Sequence, residues 1–140
     1  MIYPNQFPLN NDNIYEKEVY ASLHKFAHRN IDYDVFFSRK FSGISKGEKI
    51  EYEVDFLIAD LRNNRLNGLL VIEVKGNQLK YNGSTLEWLQ DGRVMNTSPT
   101  TQARKNMGSL LQRFPEITRD TPVGWAVWFP RMVNPGPDFL

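Results

Sequence analysis

The stretch from Gly68 to Gly76 constrains the fold of this chain more than any other part of its sequence. It opens with large apolar and β-branched residues, which are typical of a strand covered on both faces. Glu73 and Lys75 then enter the run, and because alternate residues of a strand share a face, both side chains are expected to point the same way. A carboxylate in a buried strand is costly unless Lys75 or a metal ion compensates it. We favour the metal ion, which requires further ligands elsewhere in the chain.

Length and composition predict one globular domain. A chain of 140 residues is long enough for a core, and 41% hydrophobic with 24% charged residues is ordinary for such a protein. The net charge of +1 argues against a strongly basic nucleic-acid binder, although a local basic groove remains compatible with it. The absence of cysteine excludes thiol catalysis, cysteine-ligated zinc and disulfides. Without a recognisable signal peptide or a membrane span, a cytoplasmic protein with no membrane contact is expected.

The first helix is predicted to begin at Asp12 or Asn13 and to end near Arg29, after an irregular lead-in over residues 1–13. Glu16 and Glu18 lie at opposite margins of its apolar stripe, and periodicity does not decide which of them faces the sheet. The stripe itself consists of Tyr15, Val19, Leu23 and Phe26.

His24 and His28 are the only histidines, and their i, i+4 spacing on this helix is a spacing that can hold a metal. Both project from the face opposite the apolar stripe, and no nearby acid completes a ligand set. We interpret them as a solvated pair.

Strands are predicted at residues 33–38 and 51–60, with a mobile glycine- and lysine-containing loop at 41–51 between them. In the second strand, Val54, Phe56 and Ile58 are expected to share one face and Glu53, Asp55 and Leu57 the other.

An antiparallel hairpin centred on Asn64 would pair residues whose numbers sum to 128, and would therefore place Asp55 opposite Glu73. The Cβ atoms of such a pair are about 4.5–5.5 Å apart. Like charges in that position are destabilising unless a cation lies between them. A slip of one residue would move Asp55 to the other face.

The second half of the chain is predicted to form a small antiparallel extension at 80–96 anchored by Trp88, a helix capped by Ser98, a strand at 123–129 and a proline-rich tail at 131–140. The tail suggests a further domain in a longer protein. The expected buried stripe of the helix is Ala103, Met107, Leu110, Leu111 and Phe114. Its polar flank, either solvated surface or a ligand-facing edge, is Gln102, Asn106, Ser109 and Arg113.

The order of helix, three strands, hairpin, helix and strand, with Asp55 followed by Glu73-Val74-Lys75, resembles the PD-(D/E)XK restriction-endonuclease-like superfamily. Within it, the chain is most similar to the nuclease-related domain called NERD. The resemblance covers residues 14–130, and its matching segments are 16–23, 52–56, 70–76, 99–106 and 127–130. One departure is Val54, which stands where the superfamily pattern has proline. The resemblance implies an α/β (α+β) fold with a central mixed four-stranded sheet flanked by helices.

The resemblance also implies a role for each site residue. Asp55, Glu73 and the main-chain carbonyl of Val74 would ligate Mg²⁺ or Mn²⁺, which prefer oxygen ligands. Glu16, selected over Glu18, would complete the outer shell of the metal. Lys75 would position the attacking water and offset developing negative charge, while Gln102 would orient Lys75, the water or a phosphate.

The implied activity is hydrolysis of DNA phosphodiester bonds without a covalent intermediate, in DNA processing or repair. The substrate is single- or double-stranded DNA, and contacts to it are expected from Lys80, Arg104, Lys105, Asn106 and Arg113.

Ordinary structural interpretations of the same residues remain open. Glu73 and Lys75 can form an exposed pair on an edge strand, and Asp55 can balance Lys75 or cap a turn. Glu16 can be a first-turn acid favoured by the helix dipole. Two functional alternatives follow. One is a catalytically silent nucleic-acid-binding module attached to a helicase-type or kinase-type domain. The other is an oligomerisation module in which the aromatic strand at 125–129 and the loop from Phe41 pair with a second copy.

Overall fold

The computed structural model describes residues 1–76 and 79–131, and within them it describes only the backbone of residues 41–45 and 49–52. These residues form eight strands, three helices and a short 3₁₀ turn at Arg62–Asn64. In chain order the elements are β1 (Ile2–Tyr3), α1 (Ile14–Arg29), β2 (Tyr33–Ser45), β3 (Glu48–Asp60), β4 (Gly68–Val74), β5 (Leu79–Asn82), β6 (Glu87–Gln90), β7 (Arg93–Val94), α2 (Pro99–Arg113), α3 (Pro115–Thr118) and β8 (Val123–Trp128).

The main sheet has five strands in the order β1-β2-β3-β4-β8, and β5-β6-β7 form a small second sheet. Strands β2, β3 and β4 are antiparallel, whereas β1 is parallel to β2 and β8 is parallel to β4. The prediction of a mixed α+β fold is confirmed. The predicted four strands are one too few, because Ile2 of the supposedly irregular lead-in pairs with Val35.

Helix α1 begins where the side chain of Asn13 accepts hydrogen bonds from the main-chain N–H groups of Tyr15 and Glu16, both at 3.1 Å. The predicted apolar stripe is confirmed, since Val19 and Leu23 are buried and Tyr15 and Phe26 pack against the same core. Outside the stripe, Tyr20 is also buried, and its hydroxyl donates to the carbonyl of Pro4. His24 and His28 are exposed, as predicted.

The segment predicted as a loop at 41–51 is instead part of a hairpin in which β2 and β3 each extend over 13 residues. Its turn places Lys46 and Gly47 at φ values of 50° and 79°. Two consecutive left-handed residues are the geometry of a tight hairpin turn. The glycines and lysines that suggested a loop therefore belong to a paired ribbon and its turn.

The predicted shared face of Val54 and Phe56 is wrong. Phe56 packs in the core beneath α1, whereas Val54 packs with Val71 and Leu110 in a second core. Ser38, between the cross-strand pairs Phe37–Phe56 and Arg39–Val54, has a φ of 54°. A left-handed residue interrupts the regular alternation of a strand, and the change of face in β3 occurs opposite this interruption in β2.

Helix α2 begins at Pro99, after Ser98, whose side chain accepts a hydrogen bond from Thr101 N–H at 3.1 Å. Most of its predicted stripe is confirmed: Ala103 and Leu110 are buried and Met107 and Phe114 pack against the sheet. The exception is Leu111, which is 37% exposed. From Phe56 onwards the two cores use alternate residues of β3, as they do along β4, so α1 and α2 cover opposite faces of these strands. Within the described residues, no helix is long and apolar enough to cross a membrane.

Candidate active site

The candidate site lies where β3 and β4 separate. Phe56 pairs with Ile72 and Leu57 pairs with Val71, so the register in which paired numbers sum to 128 is confirmed. The ladder ends at Phe56–Ile72, and Asp55 and Glu73 are the next residues of their strands. There the Oδ2 atom of Asp55 accepts a hydrogen bond of 2.8 Å from the main-chain N–H of Val74. The two acids predicted as metal ligands are therefore neighbours.

Asp55 is a carboxyl group in an unfavourable environment for its charge. Burial is the main cause that raises its pKa to about 7, and the negative charges of Glu73 and Glu16 act in the same direction. The hydrogen bond from Val74 and the positive charge of Lys75 oppose the increase without cancelling it. Such a shift is common at functional carboxylates and marks this position as a candidate site.

Glu73 is the second acid, and only 9% of its surface is exposed. Its Oε1 atom is 3.2 Å from the ammonium nitrogen of Lys75, and its Oε2 atom accepts a hydrogen bond of 3.1 Å from Nδ2 of Asn106. Burial raises the pKa of Glu73, and these two partners counteract part of that increase. The structure therefore contains the ion pair between Lys75 and Glu73, which the sequence left open as an alternative to compensation of Glu73 by a metal ion.

Of the two acids at the margins of the α1 stripe, Glu16 is the one near the pair. Its charge contributes to raising the pKa of both Asp55 and Glu73, and its Oε2 accepts a hydrogen bond of 3.0 Å from Nδ2 of Asn11. Glu18 instead forms an exposed ion pair with Arg131. The tertiary structure therefore identifies Glu16 as the acid that lies near Asp55 and Glu73, which helical periodicity alone does not decide.

The remaining predicted site residues lie on and around α2 and the small sheet. Gln102 lines a polar groove together with residues 90, 91 and 93–97, and within the described residues it makes no hydrogen bond to Lys75. Lys80, Arg104 and Lys105 are exposed. Arg113 is exposed too and lies over the ring of Phe114. Contact of these residues with DNA stays a prediction, and so does contact from Asn106, whose amide donates to Glu73.

Sequence reasoning missed how the chain is held just after Lys75. A Cβ atom added to Gly76 would lie 2.7 Å from Cε2 of Tyr15, so the ring of α1 packs directly on this backbone. The guanidinium of Arg131 lies 5.4 Å from the centre of the same ring on Tyr15. The glycine after Lys75 was a visible signal, because glycine inside a strand pattern marks close approach of another group.

The donor set fits a hard divalent cation only if main-chain and solvent oxygens complete it. Among the described residues, no group of three or more histidine, cysteine, aspartate or glutamate side chains is arranged to hold a metal. Asp55, Glu73 and the carbonyl of Val74 nevertheless offer oxygen donors of the required type. Magnesium is usually bound by one or two carboxylates while it keeps several waters.

In comparisons with known proteins, the sequence matches no family model, no curated protein and no solved structure. The function has therefore to be argued from the site.

Proposed function

We propose that this protein is a metal-dependent nuclease domain that hydrolyses DNA phosphodiester bonds, similar to the restriction-endonuclease-like NERD domains that its sequence resembles. The observation that carries the proposal is the juxtaposition of Asp55, which is partly buried, and Glu73, which is buried, since both acids have raised pKa values. Lys75 lies beside them, 3.2 Å from Glu73. A divalent cation between two such acids offsets their repulsion, and an adjacent ammonium suits the stabilisation of a phosphorane-like transition state.

Each residue has a distinct role in this proposal. Asp55, Glu73 and the carbonyl of Val74 hold Mg²⁺ or Mn²⁺, with Glu16 outside them. When bound, such an ion polarises the scissile phosphate and lowers the pKa of a water. Lys75 orients the attacking water and stabilises negative charge on the phosphate oxygens. Gln102 and the exposed Lys80, Arg104 and Lys105 bind flanking phosphates.

The test is cleavage of plasmid and single-stranded DNA by the full chain with Mg²⁺ or Mn²⁺ and with EDTA. Asp55→Asn and Glu73→Gln change charge with little change in shape, and both are expected to abolish cleavage. Glu18→Gln is the control, because Glu18 is an exposed acid of α1 that pairs with Arg131 and not with the site residues. Cleavage that is equal in the unaltered protein and the two site variants contradicts the proposal.

A second candidate function is a catalytically silent module, joined to a helicase-type or kinase-type domain, that binds nucleic acid or forms oligomers. It is favoured by β8, which is the last strand of the main sheet and contains neither a charged residue nor a proline. Edge strands without such protection pair readily with another chain. Salt-sensitive DNA binding without metal-dependent cleavage supports the silent module. A monomer at all protein concentrations in sedimentation contradicts the oligomer. In either role, we place the protein in the cytoplasm.

A further inference from the structure

Both carboxylate oxygens of Glu73 already have partners. The ammonium of Lys75 lies 3.2 Å from Oε1, and the amide of Asn106 donates to Oε2 at 3.1 Å. Only 9% of Glu73 is exposed, so little room is left for solvent around the group. A cation that binds to Glu73 must therefore displace one partner or share an oxygen with it.

The two partners respond differently to an arriving cation. Lys75 carries a positive charge on a flexible stem, and a divalent ion in contact with the same carboxylate repels it. Asn106 is a neutral donor, so it experiences no such net repulsion. Its helix is fixed against the sheet through the buried residues Ala103 and Leu110. The ammonium is therefore the partner that an ion replaces, and the amide is the one that remains.

We propose that Asn106 is a positioning residue for the metal site: its amide would keep holding Glu73 through Oε2, whereas Lys75 would leave the carboxylate when a divalent ion binds. This inference rests on the proposed function, because it concerns the same metal site. In the metal-free protein, Lys75 neutralises Glu73. When the ion binds, the ammonium is released beside the site, where it is free to act on the water or the phosphate. Metal binding and the availability of Lys75 are thereby coupled.

The proposal predicts opposite effects for the two partners of one carboxylate. Removing the amide of Asn106 leaves Glu73 without its orienting donor and weakens metal binding. Loss of a hydrogen-bonding partner behind a metal ligand typically lowers affinity by about 10- to 100-fold. Removing the ammonium of Lys75 eliminates the competing cation and tightens metal binding, by about 3- to 10-fold for one partly exposed ion pair. If both residues served only to stabilise the fold, both changes would weaken binding.

The experiment measures Mn²⁺ affinity of the full chain without DNA, by electron paramagnetic resonance of the free ion and by calorimetry. The variants are Asn106→Leu, which keeps the approximate shape of the side chain, Asn106→Ala, and Lys75→Met. Gln112→Ala is the control, because Gln112 is exposed on the same helix. Thermal unfolding in EDTA identifies the variants that are folded. Two substitutions are made at Asn106 so that the test can still be carried out if one of the two variants does not fold. We expect weaker binding for both Asn106 variants, tighter binding for Lys75→Met and no change for Gln112→Ala.

The outcomes separate this inference from the function on which it rests. Unchanged affinity in the folded Asn106 variants, or weaker binding in Lys75→Met, overturns the inference while the metal site stands. If the variants show the expected pattern of metal affinities but the protein does not cleave DNA, the inference is supported and the proposed nuclease function is contradicted. If the unaltered protein binds no Mn²⁺, both the inference and the metal site are overturned.

Discussion

The main-chain N–H of Val74 donates a 2.8 Å hydrogen bond to Oδ2 of Asp55, just beyond the cross-strand pair Phe56–Ile72. The Asp55 carboxylate in β3 therefore accepts a hydrogen bond from Val74 in β4 that a main-chain carbonyl would accept in a regular ladder. This bond favours the charged form of Asp55, whereas burial and the neighbouring Glu73 disfavour it, and the net result is a pKa of about 7. Asp55 is therefore close to its titration point at neutral pH, where small changes in its surroundings decide its charge.

The first prediction concerns stability and pH in the absence of metal. The folded pKa of Asp55, about 7, lies above its ordinary value of 3.8, so the folded state binds the proton more tightly. The resulting stabilisation is fully present below about pH 4 and is lost as pH rises through about 7, to a total of about 4 kcal/mol at most. Asp55→Asn keeps an acceptor for Val74 but does not titrate.

The measurement is urea unfolding in EDTA at several pH values between about 5 and 8.5. The free energy of unfolding of Asp55→Asn, relative to the unaltered protein, is expected to increase with pH across this range. Taking the difference between the two proteins cancels the titration of the groups that do not interact with Asp55. A difference that does not vary with pH contradicts the raised pKa.

The second prediction separates Glu16 from Glu18. The charge of Glu16 helps to raise the pKa of Asp55, so Glu16→Gln is expected to move the titration of Asp55 to lower pH. Glu18→Gln removes an exposed ion pair with Arg131 and is expected to leave this titration unchanged. Carbon-13 NMR of the Asp55 carboxyl group measures both. Equal shifts in the two variants would show that Glu16 has no special relation to the site.

The sequence was sufficient for the register of β3 and β4. Two apolar strands joined by a short polar turn leave few alternative registers, because the length of the connection limits how the strands can pair. The proximity of Asp55 and Glu73, which come directly after the last pair of the ladder, follows from that register. Helix α1 was equally accessible, because its cap and its stripe are local features of the sequence.

Other features of the structure could not be predicted from the local sequence, because they depend on how the strands and helices pack together. Strand β1 has only two residues, which is too short for any periodicity, and it exists because it pairs with β2. The left-handed conformation of Ser38 in β2 and the change of face at Val54 in β3 have no signal in a sequence analysed by alternation. The bond between Asn106 and Glu73 joins residues 33 positions apart. Only the packing of α2 against the sheet selects that partner from the polar flank of the helix.

The third prediction tests the close contact between Gly76 and Tyr15. Gly76→Ala places a Cβ atom 2.7 Å from the Tyr15 ring, which already contacts the core and Arg131. Displacement of the ring is expected to cost about 1–3 kcal/mol in the free energy of unfolding. Gly108→Ala is the matched control, because an added Cβ there meets nothing within 4 Å. In the middle of a helix, that change is expected to stabilise by up to about 1 kcal/mol.

A double-mutant cycle attributes the cost at Gly76 to the ring. In a Tyr15→Ala background the added methyl group has no ring to displace, so Gly76→Ala is expected to lose most of its effect. Chemical denaturation of the four proteins gives the coupling energy. If Gly76→Ala costs the same with and without the ring, the cost arises from the backbone, and the proposed contact does not hold the strand end after Lys75.

The last prediction concerns metal removal. A divalent ion must compete with the proton on Asp55, whose pKa is about 7, so the ion binds more tightly at about pH 8 than at about pH 5.5. An ion present at about 100 times its dissociation constant stabilises the folded state by about 2.7 kcal/mol. Adding EDTA is therefore expected to lower the melting temperature more at the higher pH, opposite in direction to the proton-linked stability of the metal-free protein.

The measurement is thermal unfolding with Mn²⁺ or EDTA at both pH values, with Glu18→Gln as a variant that keeps the response and Asp55→Asn as one that loses it. A Mn²⁺ effect that persists in Asp55→Asn, or that is larger at the lower pH, would place the ion somewhere other than between Asp55 and Glu73.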